Sequence, residues 1–316
     1  MDATSYFLSC DWGTTHFRLR LVETDTLAII SELKTDQGIK AMNFSFLAQT
    51  ELGRFDFFKI YLLAQIVVLS PIHPYQDILI SGMASSSIGM EELEYATMPF
   101  AFNGSGLRYK KLVISPDINA YLISGIKNEQ AMMRGEEVQA IGLSPHLEPY
   151  KKGILILPGT HSKHLTFDQG KFTHMRSFMT GELFEVLSQK SILAQSIDNT
   201  TWEVSKIAPF IEGLHLAFSG RLSENLIKIR AMHLLDNSIK SDNYYLLSGM
   251  LIGDELFYLK NSNEKLVISA PEPILNLYTI ALENLLPSDL FLSIDAKALE
   301  KALLVGQQKI LVRHEN

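Results

Sequence analysis

The segment CDWGTTHFRLRL, residues 10–21, runs from a short turn containing glycine into a strand. Within it, Phe17, Leu19 and Leu21 alternate with arginines, which is the two-residue period of a half-buried strand. An apolar run, residues 6–10, precedes the turn. The stretch therefore predicts a β-hairpin in which Asp11 ends the first strand.

A second segment, LILPGTHSKHLTF at residues 155–167, repeats this order of strand, Gly-Thr turn and strand. Gly13 and Gly159 lie nearly half the chain apart. We expect the two hairpins to be the equivalent first elements of two similar domains that face each other across a cleft. Strands and helices are interleaved throughout, which predicts an α/β fold.

Element boundaries follow from the spacing of apolar residues. That spacing predicts helices over residues 55–69, 130–143, 181–188, 209–230 and 249–259, and two more near the C-terminus. We place the division between the domains near Lys127 to Met132. This gives an N-terminal domain of residues 1–128 and a C-terminal domain of residues 129–316.

Composition limits the partners and the compartment. The 316 residues carry a formal net charge of −7, so we expect no nucleic-acid partner, which would need a basic surface. Cys10 is the single cysteine, which excludes an internal disulfide and favours a reducing compartment. The start of the chain shows no targeting pattern, and no apolar run approaches the ~20 residues of a membrane span. We expect a cytoplasmic protein that does not enter a membrane.

The two glycine turns carry the groups that a phosphate chain requires, namely backbone N–H groups, close approach at glycine, and hydroxyls. The first turn offers Gly13, Thr14 and Thr15, and the second offers Gly159, Thr160 and Ser162. Lys163 adds positive charge, and Asp11 is placed to hold Mg²⁺ through a carboxylate. Each turn alone is also compatible with an ordinary hairpin, because Gly and Thr are common turn residues.

Two further stretches contain charged candidates. In MRGEEVQAIG, Glu136 at a helix start is a candidate general base, although acids at that position also suit the helix dipole. Arg134 beside it could bind a substrate carboxylate or pair with a neighbouring glutamate. In RSFMTGELFEVL the candidates are Arg176, Thr180 and Glu182, and ordinary helix capping is the alternative for the Thr-Gly-Glu sequence. His161 and His164 fit no metal-binding spacing and are expected on the hairpin surface.

Six segments together resemble the 2-dehydro-3-deoxygalactonokinase family, which is similar in fold to actin, hexokinase and the Hsp70 ATPase domain. They occur in the family's order and spacing: DWGTTHFRL, SGMASSSIGM, MRGEE, PGTHSKH, MTGELFEVL and LSGMLIGDEL. The resemblance implies two ribonuclease H-like domains of actin/hexokinase type with a cleft between them. It also implies that the 6-hydroxyl of a 2-keto-3-deoxy sugar acid is phosphorylated by ATP with Mg²⁺.

The resemblance assigns roles to particular positions. By similarity, Asp11 would organise Mg²⁺ and the phosphates, the two turns would bind phosphates, and Glu136 would be the base, with Glu137 as the alternative. Ser86, Arg134, Arg176, Thr180 and Glu182 would lie on the substrate side, and Gly249 and Gly253 on the nucleotide side. The partners implied are a small sugar acid and ATP, and a homodimer is left open.

This chain departs from the family pattern at two places. Ser85 replaces a usual glycine and Met90 a usual tryptophan, which leaves the sugar preference open. Ala270 and Pro271 stand where a glycine-rich turn near adenosine is usual. Two alternatives therefore accompany the main hypothesis: a kinase for a different sugar or sugar acid, and a nucleotide-binding regulatory protein without catalysis.

Overall fold

The computed structural model describes residues 5–75, 77–116 and 118–315; the N-terminal residues 1–4 considered above lie outside this range. The strands within it are β1 (Tyr6–Trp12), β2 (Phe17–Glu23), β3 (Ile29–Thr35), β4 (Asp77–Gly82), β5 (Ala96–Thr97), β6 (Phe100–Ala101), β7 (Tyr109–Ser115), β8 (Ile118–Ile123), β9 (Ile126–Lys127), β10 (Met132–Met133), β11 (Lys152–Leu157), β12 (Ser162–Asp168), β13 (Lys171–Phe178), β14 (Lys265–Ser269) and β15 (Phe291–Ile294). The α-helices are α1 (Ile39–Leu47), α2 (Arg54–Leu69), α3 (Glu136–Leu147), α4 (Thr180–Lys190), α5 (Ile207–Ala217), α6 (Leu222–Leu235), α7 (Lys240–Leu256), α8 (Ile274–Glu283) and α9 (Ala296–Glu315). None of the helices in these ranges is long and apolar enough to cross a membrane.

The chain forms two compact units. Unit 1 comprises Met1–Lys151, Phe167–Met175 and Lys297–Asn316, and unit 2 comprises Lys152–Thr166 and Arg176–Ala296. The first change of unit therefore follows α3, and nearly all of α9 returns to unit 1. The division of the sequence at residues 128/129 stays a prediction.

The main sheet of unit 1 has the strand order β3-β2-β1-β4-β8-β7. β1 is antiparallel to β2 and parallel to β4, which is in turn parallel to β8. The apolar residues of β1 and β2, Cys10 among them, pack into a core with α2. This burial follows from the alternation in the opening segment, and it confirms the predicted hairpin.

The sheet of unit 2 has the order β13-β12-β11-β14-β15, with β11 parallel to β14 and β14 parallel to β15. The far end of the β12–β13 hairpin belongs to unit 1, where Lys171 and Phe172 pair with β6. In each sheet, five strands can be numbered 1 to 5 along the chain: β1, β2, β3, β4 and β8 in unit 1, and β11 to β15 in unit 2. Both sheets then have the strand order 3-2-1-4-5. This shared order confirms the prediction of two similar ribonuclease H-like halves.

Some predicted helix boundaries were wrong for local reasons. The helix predicted over 130–143 begins only at Glu136, since Met132 and Met133 pair with β9 and Gly135 adopts a φ of 113°. The helix predicted over 209–230 is split into α5 and α6 by Gly220, which has a φ of 71°. The helix predicted from Gly249 begins earlier, at Lys240.

Candidate functional site

The first turn, residues 13–16, is held through its carbonyl groups by the start of α1. Three N–H groups donate to it, in the pairs Ile39 to Gly13 at 2.9 Å, Lys40 to Thr14 at 3.0 Å and Gly38 to Thr15 at 3.1 Å. The approach requires a glycine at residue 38, because a Cβ there would lie 2.3 Å from the carbonyl carbon of Thr15. In the described part of the chain, the N–H groups of Thr14 and Thr15 make no hydrogen bond. The turn therefore presents donors on the side away from α1.

Asp11 lies at the end of β1, directly opposite Arg18 on β2. It borders a cavity of about 300 Å³ whose lining is Asp11, Gly13, Thr14, Thr15, His16 and Arg18. Burial raises the pKa of the Asp11 carboxyl, while the positive charges of Arg18 and Arg20 oppose the rise. The cavity thus combines one carboxylate, one guanidinium and the open N–H groups of the first turn.

Two glycines bring the start of α3 to the end of β4. Gly135 has a φ of 113°, and a Cβ on it would lie 3.3 Å from the Cα of Gly82. A Cβ on Gly82 would in turn lie 2.8 Å from the carbonyl oxygen of Trp12 and 3.6 Å from Oδ1 of Asp11. Side chains larger than hydrogen would separate these segments, so the glycines place the beginning of α3 beside Asp11.

The two glutamates at the start of α3 have different surroundings. Glu137 is fully buried, and both of its carboxylate oxygens accept the N–H of Gly135 at 2.8 Å. Burial and the adjacent Glu136 carboxylate raise the pKa of Glu137 to about 8. Glu136 is half-buried, and its Oε2 accepts the N–H of Arg134 at 3.0 Å. Glu136 is therefore the more accessible carboxylate.

The Arg134 side chain contacts other residues of unit 1. Its Nη1 donates to the carbonyl and the hydroxyl of Ser85, each at 2.5 Å, and its guanidinium lies 4.2 Å from the ring centroid of Tyr95. The guanidinium hydrogen bonds go to Ser85 and Leu93, and not to a neighbouring glutamate, which was one of the two alternatives for this side chain. Ser85 is fully buried and donates to the carbonyl of Ile123 at 2.7 Å, so this departure from the family pattern lies in the interior.

Two further residues of the loop SGMASSSIGM are buried in unit 1, while Ser87 is exposed. Ser86 is 7% exposed and donates to the carbonyl of Met83 at 2.7 Å. Met90 is 1% exposed and packs in the core. Neither of the two substitutions that set this loop apart from the family, at positions 85 and 90, presents its side chain to solvent.

The second turn, residues 158–161, is held in the same manner as the first. The carbonyl of Thr160 accepts the N–H of Glu182 at 3.0 Å, and a Cβ on Gly181 would lie 2.6 Å from the carbonyl oxygen of Gly159. Within the described residues, the N–H groups of Thr160 and His161 make no hydrogen bond. Carbonyls tied to a helix start and open N–H groups are thus common to both turns.

Ser162 and Lys163 follow the second turn but point inwards. The Ser162 hydroxyl is fully buried, accepts the N–H of Gly159 at 3.4 Å and lies 3.2 Å from the Tyr278 hydroxyl. Lys163 is 3% exposed, and its Nζ donates to the carbonyl of His161 at 2.8 Å and to Ser177 at 2.9 Å. Both side chains support the turn from within the unit.

A cavity of about 330 Å³ lies beside the second turn in unit 2. Its lining is largely apolar and consists of Pro158, Gly159, Thr180, Gly181, Phe184, Tyr244, Tyr245, Ser248, Leu251, Ile252, Pro273, Ile274, Leu277 and Tyr278. Gly249 and Gly253 are not in this lining; they allow α7 to pack on α5, where a Cβ on Gly249 would lie 2.1 Å from the carbonyl oxygen of Phe210. Other residues of α7 form the wall.

The remaining predicted residues lie around the start of α4. Thr180 lines the cavity and donates its hydroxyl to Glu255, so it is not a capping residue, and α4 has no side-chain cap. Nε2 of His161 lies 2.5 Å from Oε2 of Glu182, and both side chains are exposed. Arg176 is exposed and stacks on the ring of Tyr258 at 4.5 Å.

Three residues around these turns were missed or misplaced by sequence reasoning. Arg18 follows from the hairpin register, since the strand position opposite Asp11 can be counted from the turn. Glu255 is an acid in the apolar run of α7, which is a signal for a buried partner. His164 was expected on the surface but is 1% exposed, because its ring binds Glu255 and Tyr258.

Comparison with known proteins agrees with these features. The sequence profile of the family described as 2-keto-3-deoxy-galactonokinase matches residues 11–304. A probable 2-dehydro-3-deoxygalactonokinase of Rhizobium meliloti (strain 1021) is 28% identical over 264 residues, which are 81% of each chain. The 2-dehydro-3-deoxygalactonokinase of Escherichia coli (strain K12) is 24% identical over 268 residues, which are 82% of each chain.

A solved structure shows the same fold. The crystal structure of a candidate 2-dehydro-3-deoxygalactonokinase from Sinorhizobium meliloti matches with a TM-score of 0.80 at 24% identity, covering 98% of this chain and 96% of that one. The repeated strand order and the glycine turn in each unit are those of the actin/hexokinase class of fold. The chain belongs to the 2-keto-3-deoxy-galactonokinase family, and it is accordingly a sugar-acid kinase that uses ATP.

Proposed function

We propose that the protein transfers the γ-phosphate of ATP to the 6-hydroxyl of 2-dehydro-3-deoxy-D-galactonate. The observation that carries the proposal is the pair of turns, one in each unit, in which carbonyls accept from a helix start while the N–H groups of Thr14 and Thr15, and of Thr160 and His161, make no hydrogen bond within the described residues. Successive free N–H groups form a concave donor surface that suits phosphate oxygens. Phosphoryl transfer depends mainly on such positioning and on neutralising charge.

The first turn is proposed to bind the terminal phosphates through Gly13, Thr14 and Thr15. Arg18 borders the same cavity, and its guanidinium would neutralise the anionic oxygens as charge shifts during transfer. Its position opposite Asp11 also favours the charged form of that carboxylate.

Asp11 fits a Mg²⁺ ion. Its carboxylate borders the first-turn cavity, beside the open N–H groups of Thr14 and Thr15. The described residues contain no group of three or more acidic, histidine or cysteine side chains that could hold a metal by itself. This suits Mg²⁺, which takes one or two carboxylates together with phosphate oxygens and water. When bound, the ion would neutralise phosphate charge.

The second turn and its cavity are proposed to hold the remainder of the nucleotide. Thr160 would donate its open N–H group to phosphates, Gly159 would let the backbone approach them closely, and the apolar walls from α4, α7 and α8 would receive the base. A mostly apolar lining with a few polar groups is usual for a small-molecule pocket. Ser162 and Lys163 would contribute by fixing the turn and by placing a positive charge beneath it.

Glu136 is proposed as the general base that accepts the proton of the attacking hydroxyl. Its carboxylate is partly accessible at the start of α3, which the glycines at 82 and 135 place beside Asp11. Glu137 is less suited, because a buried carboxyl with a pKa of about 8 is mostly protonated at neutral pH.

The composition supports a cytoplasmic setting without a nucleic-acid partner, and a homodimer stays an open possibility. The alternative of a different sugar substrate rested on Ser85, Ser87 and Met90. Ser85 and Met90 are buried and give that alternative no direct support, whereas Ser87 is exposed. The assignment of Ser86, Arg134, Arg176, Thr180 and Glu182 as ligands of the sugar acid stays a prediction. Thr180 lines the cavity proposed for the nucleotide, which favours a nucleotide-side role for this residue.

The proposal is tested by an ADP-release assay with ATP, Mg²⁺ and a panel of acceptors. The panel contains 2-dehydro-3-deoxygalactonate, its gluconate epimer, galactonate, gluconate, glucose and galactose. We expect turnover with the first compound at a kcat/KM at least about tenfold above the others, since a site built for substrate hydroxyls discriminates strongly. A higher kcat/KM for a neutral sugar, or no turnover with any keto-deoxy acid, would contradict the proposal.

Replacing Asp11 with Asn tests the carboxylate of the first turn. The side chains have nearly the same size, so we expect a melting temperature close to that of the wild type. We expect kcat to fall by about 100-fold or more, the scale on which removal of one key electrostatic group acts. Turnover within about twofold of the wild type in the folded variant would exclude the proposed role.

A further inference from the structure

Glu255 is a buried acid on α7 whose carboxylate joins three other elements of unit 2. It is 2% exposed. Its oxygens accept hydrogen bonds from Nε2 of His164 on β12 at 2.8 Å, from the hydroxyl of Tyr278 on α8 at 2.8 Å, and from the hydroxyl of Thr180 on α4. A buried carboxylate is costly unless it is satisfied in this way. Packing of α7 by itself would not need the charge.

The Glu255 carboxylate can only accept hydrogen bonds, and this determines which groups donate in the rest of the network. Because the Tyr278 hydroxyl donates to Glu255, only its oxygen faces Ser162, and the Ser162 hydroxyl must donate across the 3.2 Å between them. The Ser162 oxygen is then the acceptor for the N–H of Gly159 at 3.4 Å. Burial and the Glu255 charge raise the pKa of Tyr278 well above its ordinary value, so this hydroxyl remains a donor.

Each partner of Glu255 adjoins the second turn. His164 follows Ser162 by two residues, and Thr180 immediately precedes Gly181, which packs on the carbonyl of Gly159. Thr180 and Tyr278 line the cavity beside this turn, whereas Glu255 lies outside that lining. Glu255 therefore reaches the cavity only through the side chains that it orients.

We propose that Glu255 is a positioning residue that sets the second turn in the conformation that binds the nucleotide phosphates. The inference rests on the proposed function, because it assumes that this turn and its cavity hold the nucleotide. The carboxylate accepts from the strand after the turn, from the helix start that clamps it and from the helix that closes the cavity. The open N–H groups of Thr160 and His161 then keep their direction before a ligand arrives.

The variant E255Q tests this role by replacing one acceptor oxygen with an NH₂ group. The amide lacks the negative charge, and its NH₂ group would face either the two hydroxyl donors, Thr180 and Tyr278, or the His164 ring, which could accept only as its other tautomer. Either arrangement changes the network that forms around a carboxylate. We expect the Kd for ATP, measured by calorimetry without acceptor, to rise about tenfold or more. We expect the KM for the sugar acid to stay within about twofold, which a general loss of structure would not produce.

Two further variants make the result decisive. D254N changes an exposed acid at the neighbouring position of α7, and we expect its ATP affinity and turnover to match the wild type within about twofold. Y278F removes only the hydroxyl that links Glu255 to Ser162, and we expect a roughly three- to tenfold weaker ATP affinity. If E255Q fails to fold, Y278F decides the question.

Unchanged ATP affinity in folded E255Q would overturn the positioning role. If E255Q does not fold, unchanged ATP affinity in Y278F would do the same. Equal losses of affinity for ATP and for the sugar acid would also overturn it. The wild type separates this failure from that of the proposed function. If the wild type binds ATP but does not phosphorylate the acid, the substrate assignment fails while the ATP measurements still test Glu255. If the wild type binds no ATP, the nucleotide site and this inference fail together.

Discussion

At the scale of single residues, the adjacent glutamates at the start of α3 differ in what surrounds their carboxylates. Glu137 is enclosed and turned onto Gly135, while Glu136 remains accessible. E136Q should therefore lower kcat by about 100-fold or more, the contribution expected of a general base, with little change in ATP affinity. E137Q is the matched control and should keep kcat within about fivefold. Steady-state kinetics of both variants decide between the residues, and the reverse order of effects would contradict the assignment.

The buried Glu137 also predicts how stability depends on pH. Its folded-state pKa of about 8 lies above its ordinary value of 4.5, so the folded state binds the extra proton between these values. The free energy of unfolding should fall as pH rises through this window, because the unfolded state ionises first. E137Q lacks this titration, so its stability relative to the wild type should rise by about 1 kcal/mol or more from pH 5 to pH 9. Urea unfolding at both values measures this, and a constant difference would contradict the buried environment.

The sequence was enough to place several candidate site residues in turns and strands, but not to predict the partners of their side chains. Asp11 and the glycines of both turns could be placed because a hairpin fixes neighbours within a few residues. The partners of Arg134, Lys163 and His164 could not, since each side chain binds atoms that only the folded chain brings near. Burial of His164 against Glu255, 91 residues away, illustrates the limit.

At the scale of elements, α3 and α9 approach closely through glycines. A Cβ on Gly142 of α3 would lie 1.7 Å from the carbonyl oxygen of Ala302, and one on Gly306 of α9 would lie 2.0 Å from that of Val138. The side-chain amide of Gln307, next to Gly306, donates to Ser81 at 3.0 Å. Through these contacts α9 holds together β4 and the helix that begins with Glu136.

Gly142→Ala tests this packing. The added methyl group would meet backbone rather than a movable side chain, so the helices must separate, and the free energy of unfolding should fall by about 3 kcal/mol. Gly53→Ala is the control, because a Cβ there meets nothing within 4 Å, and it should change stability by no more than about 0.5 kcal/mol. Urea denaturation measures both, and equal stability of the two variants would refute the close approach.

The elements themselves were predicted where their pattern was strong. Apolar periodicity predicts the hairpin of β1 and β2, the strand β12 and the helix α2. Apolar periodicity alone began α3 too early, at residue 130, although the motif MRGEE placed Glu136 at a helix start. The break between α5 and α6 was missed, because it depends on positive φ at Gly220 and periodicity does not show which glycines adopt it. The pairing of Met132 and Met133 with β9 likewise depends on a contact within a small sheet.

At the scale of the whole molecule, one strand order occurs in both units and each unit carries one open glycine turn. The internal similarity of residues 10–21 and 155–167 was enough to predict this duplication. The return of α9 to unit 1 was not predicted, because nothing in its sequence identifies the sheet on which it packs.

The central claim is that this molecule forms a phosphate ester on a sugar acid. The direct measurement is ³¹P NMR of the wild-type reaction with ATP, Mg²⁺ and 2-dehydro-3-deoxy-D-galactonate. We expect a new phosphomonoester signal, split by the two protons on carbon 6, that grows together with the signals of ADP. Inorganic phosphate as the sole new signal besides ADP, or an ester on another carbon, would contradict it.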